Sequence, residues 1–193
     1  MYNTNEITRM QANESGINYY VEDGEIIHTQ LIGSPVHFQQ ILMNIGSNAV
    51  KYNHDGGSVT VTCCEVSYTD TTAEYELTCT DTGIGMSEEF QKKAFEPFAQ
   101  EGQSARTKYA GTGLGLAIAR KLTELQGGTL FFESIQGKGT KFILHIPFEI
   151  SAEEQEKKSH MYQNCSVEGV QILLVEDNEL NMEIAEFLLK EEK

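Results

Sequence analysis

SPVHFQQILMNIGSNAVKY, residues 34–52, reads as one amphipathic helix with two different working faces. Ser34 is a good N-cap, because its hydroxyl can accept from an unpaired N–H of the first turn. Pro35 suits the first helical position, where no N–H is needed. Phe38, Leu42, Ile45, Ala49 and Tyr52 recur at helical spacing and predict a helix over 36–52 with one apolar side. A second stripe carries His37, Asn44, Asn48 and Lys51 at i, i+7, i+11 and i+14. Two carboxamides one turn apart, with a lysine a turn further, suit a metal–phosphate cluster. Asn offers a hard carbonyl oxygen and Lys a charge for phosphate. A merely solvated helix face looks the same, and the stripe alone does not separate the two readings.

Working outward, residues 4–15 are polar and read as a helix ended by Gly16. INYYVED (17–23) and EIIHTQLI (25–32) read as two short strands around a hairpin-type turn at Asp23-Gly24. After Gly56-Gly57 the period changes to two, and SVTVTCCEV (58–66) and AEYELTCTD (73–81) read as strands joined by a polar turn. Residues 83–111 are mostly loop with a short helical piece near 87–95, and loops that long are often lids or binding segments. A helix is expected over 112–126, with Leu114, Ile118, Leu122 and Leu125 as its core stripe. TLFFES (129–134) and TKFILHIPF (140–148) form a closing hairpin. Helices interleaved with an antiparallel sheet point to an α/β (α+β) two-layer sandwich. Residues 151–169 are charged and aperiodic and read as a linker. VQILLVEDN (170–178) then starts a new apolar strand ending in acids, with a helix over 179–190.

The chain has 193 residues, 39% of them hydrophobic, enough for one well-buried core and a remnant. Its formal net charge is -15, which repels nucleic-acid backbones and anionic membranes. Neither nucleic acid nor direct membrane contact is expected, and any phosphate must be held locally by N–H groups, a few cations or a metal. Cysteines 63, 64, 79 and 165 form no C-x-x-C pair and read as the reduced, packing thiols of a cytoplasmic protein. No apolar run approaches the roughly 18 residues of a membrane span, and the polar N-terminus is no signal peptide.

Asp81-Thr82-Gly83-Ile84-Gly85-Met86 closes a strand. Asp81 shares parity with Tyr75, Leu77 and Cys79, so it points toward the buried face, where a carboxylate needs a donor. The exocyclic amine of adenine would serve, and Gly83 and Gly85 would let backbone approach a flat ring. The alternative is a strand-end Asp that caps a turn. Gly111-Thr112-Gly113-Leu114-Gly115-Leu116 runs into a helix, whose N–H groups and positive dipole end favour phosphate. It follows a long loop, unlike a dinucleotide-binding fingerprint, and lacks the Lys-Ser/Thr of a P-loop.

In order and spacing these segments resemble the histidine-kinase branch of the GHKL ATPase superfamily, over residues 1 to about 148. The N box is similar to His37–Tyr52, the G1 box to Asp81–Met86, the F box to Phe95-Glu96-Pro97-Phe98 and the G2 box to Gly111–Gly115. Gly139-Thr140 matches a late Gly-Thr position. The resemblance implies a Bergerat-type ATP-binding fold with a mixed, largely antiparallel sheet, and ATP with Mg²⁺ as cofactors. It implies Asn48 as the Mg²⁺ ligand, with Asn44 beside it as second ligand or phosphate contact. Lys51 would approach the phosphates, Tyr52 pack on adenine, and Asp81 bind the adenine amine with Thr140 helping through a water. Gly83 and Gly85 would shape the adenine pocket. Gly111, Thr112, Gly113, Leu114 and Gly115 would line the phosphates, Arg106 and Lys108 would reach toward them from the lid or stand as solvated lid charges, and Phe95 and Phe98 would anchor the lid to the core. ATP-hydrolysing branches carry a water-activating glutamate where this chain has Asn44. An amide takes no proton at neutral pH, so transfer to another nucleophile is expected instead.

Ile172–Asn178 resembles the opening of a response-regulator receiver, a flavodoxin-like β-α fragment over 170–193. Glu176 and Asp177 match its acidic Mg²⁺ pair, while the acceptor aspartate would lie beyond Lys193. Kinase followed by receiver is the layout of a hybrid histidine kinase, the cytoplasmic part of a membrane-anchored sensor being one such setting. None of His28, His37, His54, His145 and His160 sits in the His-Glu-x-x-x-Pro context of a phospho-accepting hairpin. The implied partners are therefore a histidine-bearing dimerisation hairpin and a response regulator or receiver domain. The rival readings are a catalytically inactive nucleotide-sensing or docking module and an anti-sigma-type serine kinase.

Overall fold

A computed structural model describes residues 2–101 and 112–152, all within the first of two compact units, Met1–Gln155 and Glu156–Lys193. The linker beyond 152, the receiver-like segment with Glu176 and Asp177, and the lid residues Arg106, Lys108 and Gly111 lie outside the described residues.

The amphipathic helix forms as its sequence demands. Helix α2 spans Pro35–Lys51, and the Ser34 hydroxyl accepts from the His37 N–H at 3.3 Å. Ile41, Leu42, Ile45, Ala49 and Val50 are buried on its inner face. Helix α1, Tyr2–Glu14, packs against it, as does α4, Gly115–Leu125. Together they cover one face of a six-stranded sheet made of β1 (Asn18–Asp23), β2 (Leu31–Ile32), β3 (Ser58–Tyr68), β4 (Thr72–Asp81), β5 (Thr129–Ile135) and β6 (Gly139–Ile150). A four-residue helix α3, Glu88–Gln91, stands in the segment after β4. Inward positions alternate along the strands: Val59 and Val61, then Tyr75, Leu77 and Cys79, then Phe142, Leu144 and Ile146 are buried in one cluster with the helices. The two-layer architecture and the mixed, largely antiparallel sheet agree with the expectation, since only β1–β3 is parallel.

The expected hairpin at Asp23-Gly24 does not form. β1 pairs in parallel with β3, and α2 is part of the crossover between them. Residues 24–30 instead cross to the other side of the sheet, where β2 pairs with the end of β6. Their N–H groups go elsewhere: Gly24 donates to the Cys63 carbonyl, and Ile27 and His28 donate to the Glu65 carboxylate, each at 2.9 Å for the latter two. A side chain distant in sequence thus takes the place of a neighbouring strand.

Helix α4 begins three residues later than expected and buries a stripe that shares Leu122 with the expected one. Gly113 has φ 71, outside the right-handed helical region, and an added Cβ would meet backbone at Ala99 and Phe98. Ala119 and Thr123 are fully buried, whereas Ile118 is 40% and Leu125 64% exposed. The Thr123 hydroxyl is satisfied by the Ala119 carbonyl at 2.8 Å.

Candidate functional site

Asp81 ends β4 on its inward parity and is 7% exposed. Its Oδ1 accepts from the Gly83 N–H at 2.8 Å and the Thr140 N–H at 3.3 Å. The first bond makes Asp81 a turn-capping residue as well as a candidate ligand group, so the two sequence alternatives coexist on one oxygen. Oδ2 has no hydrogen-bond partner among the described residues. Burial pushes the carboxyl up to about 6, against the opposing pull of the two N–H groups. Gly85 follows at φ 62, where an added Cβ would stand 2.1 Å from the Ile135 carbonyl, so only glycine lets this turn close against the β5–β6 turn.

A cavity of about 230 Å³ opens beside Asp81. Asn48, Lys51 and Tyr52 line it from the end of α2, Gly85 from the turn, Thr112, Gly113 and Gly115 from the start of α4, and Thr140 from β6. The Lys51 ammonium sits 4.9 Å from the centre of the Tyr52 ring. Helix α4 has no side-chain cap, so its first-turn donors are not taken by a cap side chain. Three expected residues do not line the cavity. Gly83 gives its N–H to Asp81, and Leu114 is the N-cap position of α4. Asn44 lies against Gly115, where an added Cβ would be 3.4 Å from its Oδ1. Its Nδ2 is buried without a hydrogen-bond partner among the described residues.

Several residues of the site escaped sequence reading. Ser134 links Thr140 (Oγ–Oγ1 2.9 Å), the Gly139 carbonyl and the Met86 N–H, and so ties β5 and β6 to the glycine turn. Its signal was available: a lone serine at the inward parity of Leu130 and Phe132 requires partners. Asn53 is buried, donates to the Ser58 carbonyl and accepts from His54 N–H and Thr82 Oγ1, clamping the end of α2 to the ends of β3 and β4. Glu101 also lines the cavity and accepts from the Ser87 N–H at 2.9 Å. Phe98 corrects an expectation. Its ring is 69% exposed at φ 64, so the backbone bond from its N–H to the Gly113 carbonyl holds this segment, while Phe95 does pack on Phe132.

An acid buried at a strand end, an asparagine–lysine helix end and an uncapped glycine-rich helix start thus meet around one cavity. Residues 33–150 match the histidine kinase-, DNA gyrase B- and HSP90-like ATPase family. The chain belongs to this family. Among its relatives, histidine protein kinase 1 of Candida albicans is 43% identical over 116 residues, covering 60% of this chain and 5% of that protein. The autoinducer 2 sensor kinase/phosphatase LuxQ of Vibrio cholerae is 33% identical over 184 residues, 93% of this chain and 21% of that protein. The chain therefore spans a small part of the curated relatives it matches. Full-length ShkA, solved in complex with AMPPNP, is similar in structure with a TM-score of 0.62 at 27% identity, over 78% of this chain and 30% of that one. The matched relatives are histidine kinases, and the ATPase domain here is of the histidine-kinase type used in two-component signal transduction.

The residues fit what this family binds. Asp81 keeps an acceptor oxygen for an amine, and the start of α4 with Lys51 suits phosphates. Among the described residues no group of three or more His, Cys, Asp or Glu side chains could hold a metal by itself. A magnesium ion here would be held by asparagine carbonyl oxygen and shared with substrate phosphates, as suits that ion. No described helix is long and apolar enough to cross a membrane.

Proposed function

We propose that the chain binds MgATP in this cavity and donates the γ-phosphoryl group to a histidine on a separate dimerisation hairpin. Asp81 receives the adenine amine, with Thr140 assisting through a water, and Tyr52 packs beside the base. Asn48, with Asn44 one turn earlier, would hold magnesium, which would supply charge neutralisation to the phosphates. Lys51 and the donors of Gly113, Gly115 and the α4 first turn hold the phosphates in line. Leu114 sets that first turn, Gly83 and Gly85 close the adenine side, and Thr112, Gly111, Arg106 and Lys108 complete the phosphate end. The bond from γ-phosphorus to the bridging oxygen breaks as one forms to an imidazole nitrogen, and ADP leaves. The chain's contribution is positioning and electrostatics.

The observation that carries this reading is Asn44 against Gly115. At the helix start where phosphates would sit stands an amide, which cannot take a proton from water. The two carboxylates that line the cavity each accept from N–H groups, Asp81 from Gly83 and Thr140, and Glu101 from Ser87. No histidine lines the cavity among the described residues, in keeping with an acceptor from elsewhere. For residues 170–193 we propose the start of a receiver, with Glu176 and Asp177 as acids of its magnesium site. The extent of the LuxQ match, 93% of this chain, supports a shared layout beyond the ATPase boundary.

The test is a transfer assay with ATP labelled at the γ-phosphate. The chain should label a supplied cognate hairpin in acid-labile form, release little inorganic phosphate, and carry no label itself. Rapid phosphate release without transfer would overturn the proposal.

A further inference from the structure

We infer that the outer edge of β5, with the cations flanking it, is a docking site for an acidic, extended polypeptide segment. Every residue of β5 is in register with β6, and among the described residues no strand pairs with its other side. The polar groups on that side can be identified. The Ser134 carbonyl accepts from the Gln91 side-chain amide at 3.2 Å, so it faces away from β6. In an antiparallel strand, residues of the same parity share that direction, so Leu130 and Phe132 also present N–H and C=O outward. Gln91 already does at one position what a docked backbone would do at the next two.

A cavity of about 380 Å³ wraps this edge. Both Phe131 and Phe132 line it, although neighbouring strand residues point to opposite faces. A cavity lined by both residues runs along the edge between the two faces. Its cations are Lys92, Lys93 and Arg120, against one carboxylate, Glu96, in a chain of net charge -15. The Arg120 guanidinium lies 5.0 Å over the Phe95 ring and pairs with Glu124 at 3.1 Å, both side chains about half exposed. An exposed pair of this kind is weak and leaves the guanidinium able to take a second carboxylate.

The surroundings also set the pattern of the guest. Lys92, Lys93 and Arg120 come from the helix layer, so acids are wanted on the side chains facing that layer. On the opposite face, Phe131 is 43% and Ile135 60% exposed, with Phe131 stacked on His145. Exposed Glu133, in register with Lys141, stands between them, so apolar residues are wanted toward the two ends of that face. A strand added to β5 would therefore alternate acidic and apolar residues, its backbone supplying affinity and its side chains selectivity.

The probe is a fluorescein-labelled peptide of alternating glutamate and valine, as long as β5, titrated into the full chain by anisotropy. Saturable binding is expected, with slowed amide exchange at Leu130 and Phe132. Combining Lys92→Glu with Lys93→Glu should weaken it at least about tenfold, while ADP affinity and melting temperature stay those of the parent. N-methylating the peptide nitrogens that face β5 should abolish it. No saturable binding, or equal binding of the N-methylated peptide, would overturn the inference. So would undiminished binding to the doubly substituted chain.

Discussion

Two carboxylates are buried at different places in this sheet, and they behave in opposite ways. Glu65, in β3 beneath the crossing segment, has a side chain only 1% exposed. Burial alone would raise it. Hydrogen bonds from the His28 and Ile27 N–H groups, and the His28 ring nitrogen at 2.6 Å, outweigh burial and hold it below the ordinary carboxylate value. Tyr75 adds its hydroxyl at 3.3 Å. Asp81 has two donors, both on one oxygen, and burial wins, so its carboxyl rises to about 6. A saturated buried acid serves the fold, whereas an undersupplied one facing a cavity is left with an oxygen to offer a ligand.

The largest effect should come from the saturated acid. Glu65→Ala strands two N–H groups and a histidine under the crossing segment and should cost about 3–5 kcal/mol of stability. Denaturant unfolding measures it, and ADP affinity of the variant that remains folded should be unchanged. A loss below about 1 kcal/mol would mean that the crossing segment does not depend on Glu65.

Next comes the contrast with pH. Asp81 binds its proton more tightly folded than unfolded, so its contribution lowers stability as pH rises from 3.8 through about 6, by about 3 kcal/mol. Asp81→Asn should remove that decline. Glu65 has the opposite sign: its contribution is present above the unfolded value of 4.5 and lost as pH falls through its lower folded value. Difference curves between parent and each variant, from unfolding at several pH values, should therefore slope in opposite directions. Parallel slopes would erase the distinction between the two acids.

A smaller effect sharpens the same point. An adenine amine favours ionised Asp81, so ADP binding should release a proton near pH 6 and weaken roughly tenfold between pH 7 and pH 5. Calorimetry in buffers of different ionisation heat reports the proton, and Asp81→Asn should show none.

The nucleotide side of the molecule was far more legible in the sequence than the Glu65 side. Ser34, Pro35 and the α2 stripe are local signals, and the parity of Asp81 with Tyr75, Leu77 and Cys79 needs only strand alternation. Asn48, Lys51, Asp81, Gly85, Gly113 and Gly115 were marked by such patterns, whereas Ser47, Ile84 and Met86, which line the same cavity, were not. The crossing segment was misread because Asp23-Gly24 carries a hairpin signal while the partner of its N–H groups is Glu65, whose pairing leaves no periodic trace. The α4 stripe failed for a related reason. Leu and Ile spacing marks a helix, but the fully buried positions are the smaller Ala119 and Thr123, while Ile118 and Leu125 turn outward. Ser134 and Asn53 act through backbone groups far away in the chain, which no spacing rule encodes.

The undersupplied oxygen of Asp81 is the proposed adenine contact. Calorimetric titration of MgADP into parent and Asp81→Asn at pH 7 tests it most directly. An asparagine oxygen can still accept from Gly83 and Thr140, so the fold should persist. Facing the amine with another donor should weaken binding by about 1–3 kcal/mol, roughly ten- to a hundredfold. Equal affinities in the two proteins would exclude Asp81 as the adenine contact.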